Sequence, residues 1–171
     1  MDVATLGQGF PNRNSPAISF GMQATTHVGV RDGVTFEDGV DRGRVLVSGQ
    51  QTGGLYSLME WIVAPSSDPD SYGAHRHNGI EETFLIRTGR LEFLLGDQVT
   101  SMGPGDFVRV PPGMRHGYAN RSGQSVEMLV SFHPGGFEQL FVKYRTDAVA
   151  PLDGAGFVAD ATTDFGSEFE A

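Results

Sequence analysis

The stretch GAHRHNGIEETFLIRTG, Gly73–Gly89, sets two histidines and two adjacent glutamates ahead of an apolar run. In a strand, residues two apart point to the same side, so His75 and His77 project together from one face. Two imidazoles side by side can grip a divalent cation. A turn containing Gly79 follows, and Glu82, at the start of the next strand, can bring its carboxylate back to the same place. Glu81 falls on the opposite face and reads as solvent-exposed or hydrogen-bonding.

A fourth ligand has to come from elsewhere, and GDFVRVPPGMRHGYAN, Gly105–Asn120, supplies it. A glycine turn opens a strand, Pro111, Pro112 and Gly113 reverse the chain, and His116 starts the return strand. His116, Tyr118 and Asn120 share a face by the same two-residue rule. If the strands close as a barrel, that face meets His75, His77 and Glu82. Three neutral imidazoles and one carboxylate make a first shell for a borderline divalent metal, with one or two positions open. The alternative for the same four residues is a set of mutually satisfied polar groups in a barrel that binds no metal. Tyr118 reads equally as a substrate contact or as core packing. His27 and His133 have no ligand spacing to anything, and His133 lies one step off the face of Phe132.

Around these two stretches, short β-type runs recur near every ten residues, separated by turn residues: 44–48, 54–64, 82–87, 90–95, 107–110, 117–120 and 125–133. That rhythm predicts a sandwich or barrel. Alternation is clearest in VEMLVSF, where Val126, Met128, Val130 and Phe132 share a face, and in RLEFLLGD, where Leu91, Phe93 and Leu95 do. Gly96 and Asp97 signal a hairpin turn. One helix is expected after HPGG, because Phe137, Leu140, Phe141 and Tyr144 fall at i, i+3, i+4 and i+7, with its apolar stripe on the outside of the barrel.

Three units follow. Residues 1–27 are polar and rich in Gly, Pro and Asn, with only Ile18–Met22 strand-like, and read as an arm that wraps the body or reaches a neighbouring subunit. Residues 28–145 form the barrel and its helix. Residues 146–171 hold six acids and no Lys or Arg, which reads as a loosely packed acidic tail with Phe165 and Phe169 able to anchor its end.

At 171 residues the chain closes one core. A formal net charge of -9 repels phosphate backbones and anionic membrane surfaces, so nucleic acid is not an expected partner. With no cysteine, any metal must be held by His and carboxylate. The N-terminus lacks a basic start with an apolar core, and no run approaches eighteen apolar residues. The expectation is a soluble, cytoplasmic protein with no membrane partner.

Taken together, the two motifs resemble those of the cupins. The first family motif, G(X)5HXH(X)3-4E(X)6G, is met by His75, His77, Glu82 and Gly89, with Pro69 standing where the opening glycine is usual and Gly73 coming later. The second, G(X)5PXG(X)2H(X)3N, is met by Gly105, Pro111, Gly113, His116 and Asn120. The resemblance covers roughly residues 44–145, and GLYSLMEWIVAP and HPGGFEQLF are similar to single-domain quercetin-dioxygenase-like cupins.

That resemblance implies an all-β double-stranded β-helix (a jelly-roll, or cupin, barrel) with a short C-terminal helix, commonly a homodimer. It implies one divalent transition metal (Fe, Ni, Co, Mn or Zn) on His75, His77, Glu82 and His116. Glu82 would also accept a proton from a substrate hydroxyl, with Tyr118 the next candidate for catalysis. The expected activity is a dioxygenase on an aromatic or enediol-type small molecule. Two alternatives stay open: a non-redox polyketide-cyclase-like or isomerase cupin using zinc, and a small-molecule binding module without catalysis.

Overall fold

Two-residue alternation of buried and open side chains builds eleven strands among the described residues, which in this computed structural model are 27–30, 32–65, 73–145 and 154–169. The strands are β1 (Val34–Asp38), β2 (Asp41–Val47), β3 (Ser57–Val63), β4 (His75–His77), β5 (Glu81–Thr88), β6 (Leu91–Leu95), β7 (Gln98–Met102), β8 (Phe107–Val110), β9 (His116–Ala119), β10 (Val126–His133) and β11 (Ser167–Phe169). Two helices, α1 (Glu138–Arg145) and α2 (Gly154–Phe165), complete the set. One sheet runs β1-β2-β3-β10-β5-β8 and the other β11-β4-β9-β6-β7, with antiparallel pairing throughout. This is the expected double-stranded β-helix.

The inward faces explain why the sheets close on each other. Met59, Trp61 and Val63 of β3, Phe84 and Ile86 of β5, and Met128, Val130 and Phe132 of β10 are all buried from one sheet, and Leu91 and Phe93 of β6 meet them from the other. The β10 register sets Phe132 opposite Glu82, Val130 opposite Phe84 and Met128 opposite Ile86. Glu82 therefore occupies the last position of an otherwise apolar inward row. Each buried side chain of this size contributes about 1.5–3 kcal/mol, so the interior is stable enough to tolerate polar groups at one end.

The expected hairpin at Gly96–Asp97 joins β6 to β7, with Leu95 opposite Gln98. Three strands fall outside the expected strand readings, β1, β7 and β11, and the first two show why. Each of these two buries a single apolar side chain, Phe36 and Met102, because each lies at a sheet edge, where alternation has little to record.

Two further readings are corrected. The stripe around α1 does not lie on the outside of the barrel: Phe137 and Phe141 face its interior, Phe137 packing on Phe132 with ring centres 5.0 Å apart. Residues 154–169 are not a loose tail, since α2 buries Phe157 and Ala161 and β11 adds to the edge of β4. The apolar positions of α2 recur at i, i+4 and i+8 (Phe157, Ala161, Phe165), while Asp164 is exposed and Asp160 pairs with Lys143 of α1 at 2.6 Å. The arm 1–27, apart from His27, lies outside the described residues.

Helix α1 is fixed by a buried carboxylate. Glu138, 1% exposed, accepts hydrogen bonds from the backbone N–H of Gly49 at 2.8 Å and of Gly136 at 2.7 Å. The loops meet so closely that a Cβ on Gly135 would stand 2.4 Å from the Tyr56 carbonyl carbon. Only glycine fits there.

Candidate metal centre

Each ligand residue reaches the site by a different device. His75 and His77 stand on β4, where His75 faces His116 of β9 in register. His116 is brought into place by the Pro111–Gly113 turn, in which Gly113 holds a φ of 79° and donates its N–H to the His77 carbonyl at 2.8 Å. Glu82 arrives from the other sheet, paired between Phe132 and Val110. The site thus spans both sheets, and it forms only when the barrel closes.

His75, His77, Glu82 and His116 each offer one ligand atom, and the four atoms lie within 4.8 Å of one another. His116 Nε2 is 2.9 Å from Glu82 Oε2 and His77 Nε2 is 3.5 Å from the same oxygen. The other ring nitrogens are tied down: His75 Nδ1 lies 2.7 Å from the Gly73 carbonyl, His116 Nδ1 2.9 Å from the Met114 carbonyl, and His77 Nδ1 2.7 Å from Ser167 Oγ. With the proton held at Nδ1, the Nε2 atoms of His75 and His77 present their lone pairs inward, while His116 Nε2 donates to Glu82 and would give up that proton to a cation. His77 Nε2 is buried with no hydrogen-bond partner. Leaving such an atom unsatisfied costs about 1–3 kcal/mol, and a cation among the four donors would satisfy it. Three imidazole nitrogens and one carboxylate oxygen suit a borderline divalent ion. The residues fit a metal.

Charge reinforces the fit. Burial lowers the pKa of His75 to about 4, so at neutral pH it is an uncharged imidazole free to ligate. Burial alone would raise Glu82, yet its hydrogen bond from His116 and the neighbouring His77 outweigh it and lower the carboxyl to about 2. His116 is pushed down by burial and up by Glu82, and the upward effect prevails. Burial, with the charges of Asp41, Glu82 and Asp38, raises Tyr118 well above its usual value. Its hydroxyl stays protonated and can donate a hydrogen bond.

The ligand group opens on a cavity of about 360 Å³. Its walls are aromatic, with Trp61, Phe84, Phe132 and Phe141 among them, and Tyr118 projects into it two residues beyond His116. No Lys or Arg lines it among the described residues. Asn120, expected on the same face, instead braces a turn, donating to the carbonyls of Val63 and Gln124 at 3.0 and 2.7 Å. Glu81 lies on the opposite side as expected, in an ion pair with Arg109. His27 is exposed, and exposed His133 bonds Ser131 Oγ at 2.9 Å, so neither reaches the cavity.

Sequence reasoning missed the contribution of the C-terminal segment. Phe157, Val158 and Phe169 line the cavity, Phe169 stacks on His75 with ring centres 5.7 Å apart, and Ser167 partners His77. The signal available was the helical spacing of Phe157, Ala161 and Phe165. Nothing in the spacing pointed to Ser167.

Residues 60–132 match the family model described as the cupin domain. No curated protein matches the chain. Among solved structures, the polyketide cyclase RemF from Streptomyces resistomycificus is 22% identical, with 64% of this chain and 80% of that one covered at a TM-score of 0.56. The nucleoside dehydratase Pac13 from Streptomyces is 19% identical, with 68% and 88% covered and a TM-score of 0.54. A "predicted oxalate decarboxylase" from Thermotoga maritima is 21% identical, with 55% and 80% covered and a TM-score of 0.51. These likenesses establish the fold, and with the domain match they support the cupin superfamily.

Proposed function

We propose that this cupin-type barrel is a metal-dependent enzyme acting on a small aromatic or enediol-type molecule, with oxidation by dioxygen as its reaction. The observation that carries the reading is the closed set of four donor atoms at the inner end of an aromatic cavity. A volume of about 360 Å³ lies at the low end of the range of about 300–1,000 Å³ for ligand pockets, which suits a small molecule and not a polymer. Among the described residues the walls carry no basic side chain to seat a phosphate, while Trp61, Phe84 and Phe132 offer faces for a ring.

His75, His77, His116 and Glu82 would hold one divalent ion. When bound, a redox-active ion would supply the means of bringing substrate and dioxygen together in one electronic system. The protein's own part is to orient and to exclude water. Glu82, ionised and 6% exposed, keeps an oxygen near any substrate hydroxyl at this end and is placed to accept its proton. Tyr118, held protonated, donates a hydrogen bond to substrate oxygen from the adjacent inward position of β9.

That same protonated Tyr118 favours a second reading, a non-redox cyclase or isomerase in which a carbonyl is polarised and the phenol hydrogen-bonds the developing oxyanion. Metal analysis of the purified protein with oxygen-electrode assays on aromatic diols separates the two. Iron, nickel, cobalt or manganese with oxygen uptake is the expected result. Zinc with no uptake moves the assignment to the second reading, and a chain that takes up no metal overturns both.

A further inference from the structure

We infer that strand β11 is an outer layer of the metal centre, with Ser167 the positioning residue for His77; this rests on the metal reading above. The three imidazoles differ in where their outer nitrogen is held. His75 and His116 each use the carbonyl two residues earlier in their own approach, Gly73 and Met114. Those acceptors come with the ligand. His77 uses Ser167 Oγ, ninety positions away in the chain and 2.7 Å away in space.

The contact is a built one. Ser167 is 0% exposed and pairs with His77 in the β11–β4 register, so its side chain faces the same interior. The strand is held to β4 and the residue after it. Asn78 donates its backbone N–H to the Gly166 carbonyl at 3.1 Å and its side-chain amide to Glu168 at 2.8 Å. On the inner side Phe169 stacks on His75. When Ser167 Oγ accepts the proton of Nδ1, the lone pair of His77 Nε2 is fixed toward Glu82 and the other ligands. Without β11, Nδ1 loses this partner and the ring is free to turn or to change tautomer.

Metal binding and the docking of β11 are therefore coupled, and coupling between two binding events acts equally in both directions. The test uses the full chain, stripped with chelator and titrated with Co²⁺ under chelator competition. Ser167→Ala is expected to bind Co²⁺ about 10- to 100-fold more weakly and to alter the visible absorption of the bound ion, while Ser167→Thr, which keeps the hydroxyl, restores both. In the wild-type chain, Co²⁺ should slow hydrogen exchange of the amides of residues 167–169. Affinity within twofold of wild type in Ser167→Ala, with an unchanged spectrum, overturns the role of Ser167. So does exchange at 167–169 that ignores the metal, a readout that holds even if the variant folds poorly. A wild-type chain that binds no Co²⁺ would instead overturn the metal reading itself.

Discussion

On the proposed reading Glu82 would carry two duties that a single substitution can separate. As a ligand it would contribute charge, and as the nearest carboxylate to a substrate hydroxyl it would receive a proton. Glu82→Gln keeps an oxygen of the same shape without the charge. Metal affinity should fall by about one to two orders of magnitude, and the metal-loaded fraction should turn over at least tenfold more slowly. Turnover at the wild-type rate would leave Glu82 a ligand only. The same cluster predicts how the metal-free protein responds to pH. The unfolded chain protonates His75 near 6.5 and the folded chain only near 4, so stability is lost as pH falls through that window. The Glu82 contribution is present above 4.5 and lost as pH falls toward 2. His116, raised by Glu82, acts oppositely, stabilising below 6.5 and ceasing to do so as pH rises through its folded pKa. For this cluster the stability maximum should lie near pH 6.5, measurable as urea midpoints in chelator. A midpoint that climbs steadily as pH drops from 6.5 to 4 would contradict the burial of His75.

At the scale of elements, α1 and the residue that leads into it matter because Phe137 lies 4.7 Å from the His77 ring and Phe141 of α1 stands in the cavity wall. Its placement rests on the two backbone bonds accepted by Glu138. Glu138→Ala leaves both N–H groups without their acceptor, at a cost of about 3 kcal/mol. A lowered melting temperature with metal stoichiometry retained is the expected result, since no ligand is touched. An unchanged melting temperature would mean that the loop contacts of Gly49 and Gly135 hold the helix without it. Helix α1 was legible because Phe137, Leu140 and Phe141 repeat at helical spacing. Strands β1 and β7 were not, because an edge strand that buries one residue leaves no periodic trace.

For the whole molecule, the open question is assembly. The sheets end at β1, β8, β7 and β11, and Val34, Val99 and Phe107 stand exposed on the first three. Such edges invite pairing unless covered. We expect a homodimer in solution, with residues 1–27 contributing to its contact, so a chain beginning at Thr26 should run as a monomer by light scattering. A dimer of unchanged affinity would exclude the arm. Among the described residues no helix is long and apolar enough to cross a membrane. The barrel and the inward placing of its histidines were readable from the chain because strand alternation is local: His75 with His77, and His116 with Tyr118, share a face through backbone geometry alone. Glu82 was readable because a short turn returns it to its neighbours. Ser167 was not, and Phe169 was read only as an anchor of the tail and not as a neighbour of His75, since a strand pairing ninety positions apart depends on which edge the closed barrel leaves free. That choice, like the burial that neutralises His75 and keeps Tyr118 protonated, belongs to the tertiary structure, where the dielectric and the neighbours of a side chain are first defined.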